Sequence, residues 1–234
     1  MKHLKKVFIL ILGIVLFTSC DCIEGDGPIV SEQRNIDGFD GIEVEASVNV
    51  FVSKSNQFNV EVRAQQNILD ILRTRVRGRT LVIEFDEMCV MNTRSIDVYI
   101  SMPELSEIQI DGSGDVESED VFGADEVYFG ISGSGSIDME ILASSVEVSV
   151  NGSGNVYLSG EADYFISSIR GSGDIRANRL KAERAKVKIG GSGSTYIYVL
   201  DELDAHISGS GSIHYGGRPT IDSRVNGSGR LRRI

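Results

Sequence analysis

The sequence predicts an all-β solenoid, a single-stranded parallel β-helix whose coils take about twenty residues each. Three observations carry this. The tripeptide Gly-Ser-Gly returns seven times, starting at Gly112, Gly133, Gly152, Gly171, Gly191, Gly209 and Gly227, at intervals of 18 to 21 residues. Around each copy the apolar residues have a period of two, which is the period of a strand and not of a helix. Seven copies also exceed the three or so coils that a stack needs before it can bury a continuous core.

In chain order, residues 1–19 read as a signal segment outside the fold. Lys2, Lys5 and Lys6 form a positive start, and Val7–Phe17 is an apolar run of eleven residues. That run is too short for a membrane span, which takes about twenty. Thr18, Ser19 and Cys20 then resemble the lipobox of bacterial lipoproteins, with Phe17 standing where an aliphatic residue is usual. The resemblance implies lipid on Cys20 and attachment to the membrane through it. Residues 20–29 read as an acidic tether.

Without the three leader lysines the chain has 20 basic against 34 acidic residues, a net charge of −14. Such a surface is repelled by nucleic acid and by anionic membranes, so nucleic acid is not an expected partner. Beyond Cys20 the remaining cysteines are Cys22 and Cys89. A bridge between them is open, but a cysteine in a mobile tether favours the other reading, with Cys89 buried and Cys22 exposed.

Residues 30–234 read as a single solenoid domain, divided into irregular opening coils or a capping β layer at 30–105 and the repeat coils at 106–234. In the first part Gly41–Ser53 alternates as one strand, with Ile42, Val44, Ala46, Val48, Val50 and Val52 on one face. Phe58–Val62, Leu81–Phe85 and Ile96–Met102 are further strands. Asn67–Leu72 has the spacing of one helical turn with Asn67 as its cap, and Arg77-Gly78 marks a turn. The start is atypical because a solenoid end must close its core against water.

In the repeat coils, an aliphatic or β-branched residue stands two places before each first glycine, from Ile110 to Val225. Another stands two places after each last glycine, from Val116 to Leu231. If the strand ran straight through, Val148, Val150, Gly152, Gly154, Val156 and Leu158 would face inward, and Asn151, Ser153, Asn155 and Tyr157 outward. Stacking would then align the glycines in two columns, where they allow close backbone approach or a corner. At the C-terminus, Arg230, Arg232 and Arg233 would discourage strand addition to the last coil.

The outward positions offer two readings. Ladders of small hydroxyls and amides stabilise a flat sheet by bonding to one another. The same array, with Asn151, Ser153, Asn155 and Ser192, also forms a flat polar face for a glycan, a protein or a second copy of the chain. Beside it run Tyr157, Arg176, Tyr196, His214 and Arg232, three places past each last glycine. Tyr157 and Tyr196 are candidates for stacking on a sugar or anchoring an interface, or else they fill space between strands.

No catalytic residue, metal site or cofactor is predicted. The tripeptide is not a phosphate loop, because no Lys-Ser/Thr follows it and strands flank it. Asp115 and Asp174 share a column but lie about 14 Å apart at 4.8 Å per coil, too far for paired acid–base chemistry. His206 and His214 flank one tripeptide without a third ligand.

The NGSG forms at Asn151 and Asn226, the SGSGSI forms at Ser132 and Ser208, and the opening IDGFDGIEVEASVNVFV at Ile36–Val52 resemble the family of auto-transporter adhesins, head GIN domain. The resemblance runs from about Val30 to Ile234. It implies a right-handed parallel β-helix on an envelope lipoprotein of Bacteroides-type bacteria, lipid-anchored at the outer membrane on its surface or periplasmic face. Function is accordingly expected to be non-enzymatic binding, with a structural or self-associating role as the alternative and carbohydrate chemistry as the weakest.

Overall fold

The structure, a computed structural model, describes residues 22–86 and 89–234; the signal segment and Cys20 lie outside the described residues. From Glu107 onward the strands pair in parallel, each with the strand one coil later. Pairing aligns Ile110, Ile131, Val150, Ile169, Ile189, Ile207 and Val225 in one column. A second column holds Val116, Ile137, Val156, Ile175, Thr195, Ile213 and Leu231. All but the terminal Val225 and Leu231 are buried. Apolar side chains two apart therefore line a core that no single coil could close.

The tripeptide is a corner, so the straight-strand expectation needs correction. Strands end at Gly112, Gly133 and Gly152 and resume at Asp115, Ser136 and Asn155. The central serines are exposed, the first glycines of the first six tripeptides are half-buried, and the second glycines from Gly114 to Gly211 are buried. At Gly112, Gly133, Gly152 and Gly227, φ lies between 136 and 147°, where a side chain is strained. The two glycine columns do form. A Cβ on Gly152 would meet the carbonyl oxygen of Gly133 one coil earlier, and a Cβ on Gly154 that of Gly135, both closer than 3.0 Å. Those carbonyls are occupied: Gly133 O accepts the Ser153 amide at 2.8 Å and the Gly154 amide at 3.1 Å. The same double acceptance recurs at Gly152, Gly171 and Gly191.

The same plan reaches into the first half, with one departure. Gly41–Val44 and Asn49–Lys54 are two strands, not one, pairing with Glu107–Gly112 and with Asp115–Gly133 respectively. The bend at Glu45–Val48 underlies the glycine columns, with Glu45 O facing Gly112, and the Val44 side chain, Ala46 O and Val48 O facing Gly114. Ala46 and Val48 stay buried through the bend, which is why alternation concealed it. Outside this coil lie Thr80–Phe85 and Asp97–Met102.

An antiparallel layer then closes the end. Asn59–Gln65 pairs with Asp97–Met102 on one side and Ile29–Arg34 on the other. Leu72–Arg77 and Thr80–Phe85 form the hairpin expected at Gly78, whose φ is +68°. Ile68, Leu69 and Leu72, in and beside the short helix Gln66–Leu69, are essentially inaccessible to water. Arg79 hydrogen-bonds the Asp40 carboxylate and holds it below the usual carboxylate range.

The tether expectation is corrected as well. Cys22 and Cys89 are disulfide-bonded, with Cα atoms 4.7 Å apart, and both are half-buried. Ile23–Glu24 pairs with Val90–Met91 in a small parallel sheet of its own. Asn67 does not cap the helix; its amide donates to Glu24 O at 2.6 Å and its oxygen accepts the Asp26 amide at 3.0 Å. From Cys22 onward the segment is fastened to the cap.

Candidate binding face

The outward column three places past the corner is assembled by the parallel register. Asp138 lies beside Tyr157, Tyr157 beside Arg176, Arg176 beside Tyr196, Tyr196 beside His214, and His214 beside Arg232. With a rung every 4.8 Å or so, flat side chains in such a column meet face to face. The Tyr196 and His214 rings stack at 4.5 Å with planes 8° apart. The Arg176 guanidinium lies 5.7 Å from the Tyr157 ring and 6.0 Å from that of Tyr196, and it also faces Asp174 at 3.7 Å. Earlier in the column, Phe51 stacks on Tyr99 at 4.9 Å, and Arg63 lies 4.6 Å from the Tyr99 ring. The acids Glu117 and Asp138 separate the two stacks.

Stacking along the axis decides what this column can offer. A sugar laid flat on the Tyr196 ring would have to displace Arg176 or His214. Solvent meets ring edges, tyrosine hydroxyls and guanidinium N–H groups, a comb of hydrogen-bonding groups on a rigid sheet.

The neighbouring columns divide between structure and surface. Asp115 Oδ1 accepts the Ser136 amide at 3.0 Å, Asn155 Oδ1 the Asp174 amide at 3.1 Å, and Asp174 Oδ1 the Ser194 amide at 2.9 Å. Each acceptor thereby restarts the strand of the next coil, so Asn155 is engaged in the fold. Asn151, Ser153 and Ser192 are exposed, and their side chains make no hydrogen bond to another described residue. Tyr157 and Tyr196 thus share one column around Arg176, Ser153 and Ser192 share the corner, and Asn151 lies on the strand before it. Spacing placed Arg176 and His214 beside the tyrosines but carried no sign of the stack. Among the described residues no three His, Cys, Asp or Glu side chains converge as a metal site, and His206 and His214 lie on strands either side of a corner.

The family model "Putative auto-transporter adhesin, head GIN domain" matches residues 38–219, most of the chain. The chain belongs to this family. A "putative adhesin" from Bacteroides fragilis NCTC 9343 superimposes with a TM-score of 0.87 at 25% identity, covering 91% of this chain and all of that one. A "putative lipid binding protein" from Parabacteroides distasonis ATCC 8503 has a TM-score of 0.77 at 25% identity, covering 91% and 99%. A "putative adhesin" from Parabacteroides merdae ATCC 43184, at 23% identity and a TM-score of 0.68, covers 92% and 99% and shares the fold. Among curated proteins nothing matches. No described helix is long and apolar enough to cross a membrane.

Proposed function

We propose that this adhesin-family chain is a non-enzymatic lipoprotein of the outer membrane, anchored through Cys20, that binds a glycan edge-on along the Tyr157–Arg176–Tyr196–His214 column. The observation that carries the reading is that column, a rigid outward comb of hydrogen-bonding groups. Asp115 and Asp174, the carboxylates that share the corner column, are three rungs apart and hold backbone amides. The anchor fits the same picture. Cys22, two residues past Cys20, is bonded to the cap, so a lipid on Cys20 would sit the capped end of the solenoid at the membrane. Eight rungs separate Val98 from Leu231 along their column, which raises the last coil roughly 38 Å along the axis.

Self-association has one observation in its favour. Ile221, Val225 and Ile234 on the last coil are 38%, 43% and 66% exposed. The arginines on the strand Arg230–Arg233 oppose edge pairing, so ligand binding leads.

Immobilised glycans screened with the wild-type head and with Tyr157→Ala/Tyr196→Ala test the proposal. Glycans bound by the wild type should lose at least about tenfold in the double variant, since anchors of this kind contribute a kcal/mol or more each. Equal binding by both proteins rejects the column as the site.

A further inference from the structure

We infer that a groove on the strand face preceding the tripeptide corner, centred on Gly190, binds a phosphate monoester. The groove holds about 380 Å³ and is lined by Ser168, Arg170, Lys188, Gly190, His206 and Ser208. Register builds it: Ser168, Lys188, His206 and Arg224 are consecutive rungs of one column. Arg170, Gly190 and Ser208 occupy the next outward place on successive coils, their amides bonded to Val150 O, Ile169 O and Ile189 O.

Gly190 differs in kind from the tripeptide glycines. Its φ is not in the left-handed region, and a Cβ there would meet nothing closer than 3.7 Å. The backbone does not require glycine, and other coils carry Asn151, Arg170, Ser208 and Asn226 at this place. What glycine supplies is room between the cations. Arg170 and Lys188 have no carboxylate within 4.0 Å among the described residues, while Asp204 is engaged by Lys186 at 3.5 Å and faces His206 at 3.7 Å.

Charge is also segregated along the chain in a way the net value hides. Residues 95–169 contain 15 Asp and Glu and no Lys, Arg or His; residues 170–234 contain 12 Lys and Arg against 6 acids. The groove opens at the first cation after the acidic coils, so the field steers an anion to it. Two unneutralised cations, one of them a guanidinium fork, with serine hydroxyls and an imidazole alongside, suit a dianionic tetrahedral oxyanion and have no use for a neutral sugar.

The test titrates the intact head with glucose 6-phosphate and with glucose by calorimetry or NMR, and measures sedimentation with phosphatidylcholine vesicles containing or lacking phosphatidic acid. Salt-sensitive binding of glucose 6-phosphate, and none of glucose, is expected. Arg170→Gln/Lys188→Gln should weaken it at least about tenfold. Gly190→Val should do the same with net charge and melting temperature unchanged, and Tyr157→Ala/Tyr196→Ala should leave it intact, which separates this site from the glycan column. Binding of both carriers supports the phosphate group as the ligand, and binding of phosphatidic acid vesicles alone supports it with a lipid headgroup as the source. Binding of neither carrier, or undiminished binding by Gly190→Val, overturns the inference.

Discussion

Gly152→Ala is expected to lower the free energy of unfolding by about 3 kcal/mol or more, read from urea or thermal melts. Two costs combine. Gly152 has φ +144°, a conformation that strains a residue with a side chain by about 1–3 kcal/mol. The new methyl would also point at the Gly133 carbonyl, and relieving overpacking against backbone costs about 1–3 kcal/mol more. That carbonyl cannot yield freely, because it already accepts the amides of Ser153 and Gly154. Two other positions supply the controls: Ser153→Ala, exposed, and Gly190→Ala, outside the left-handed region and with only ordinary contacts for a Cβ, should each change stability by less than about 0.5 kcal/mol. Equal melting of Gly152→Ala and wild type would mean that the corners do not stack closely.

Loss of the disulfide should have the next largest effect. Cys22 and Cys89 close a loop across 67 positions, and chain entropy assigns such a closure up to about 4 kcal/mol. Cys22→Ser/Cys89→Ser should therefore melt well below the wild type, and a reductant should bring the wild type down to the variant. It should also loosen the segment before Ile29, leaving it the short pairing of Ile23–Glu24 and its hydrogen bonds with Asn67, Gln65 and Asn92. Unchanged melting, with free thiols absent from the wild type, would show that the loop is already constrained in the unfolded chain.

What was legible in the sequence was what repeats. Seven tripeptides with aliphatic flanks fixed the stacking and the two glycine columns, because every coil obeys the same steric rule. The corner itself was ambiguous, since alternating burial continues through Gly154 and Val156 whether or not the strand bends. The bend at Glu45–Val48 was hidden for the same reason and lacks glycine as well. Features that occur once were out of reach. The Cys22–Cys89 pairing depends on where the N-terminal segment docks, and Asn67 holds that segment instead of capping a helix. At the candidate face, spacing gave the column Tyr157, Arg176, Tyr196 and His214, but the stacking of its planes comes from side-chain torsions that spacing does not encode. That Asn155 and Asp174 support backbone amides while Asn151 remains available likewise follows from their distances to the next coil.

The most direct test of the proposed lipid anchor, and of the outward display that binding a glycan outside the cell requires, is membrane-impermeant amine labelling of intact cells, combined with radiolabelled fatty acid. Lys181 and Lys186, with side chains 63% and 45% exposed, should react readily. Lipid incorporation in the wild type, its loss in Cys20→Ala, and amine labelling of the wild type on unbroken cells are expected. Amine labelling only after the cells are opened, or lipid that persists in Cys20→Ala, would contradict the proposal.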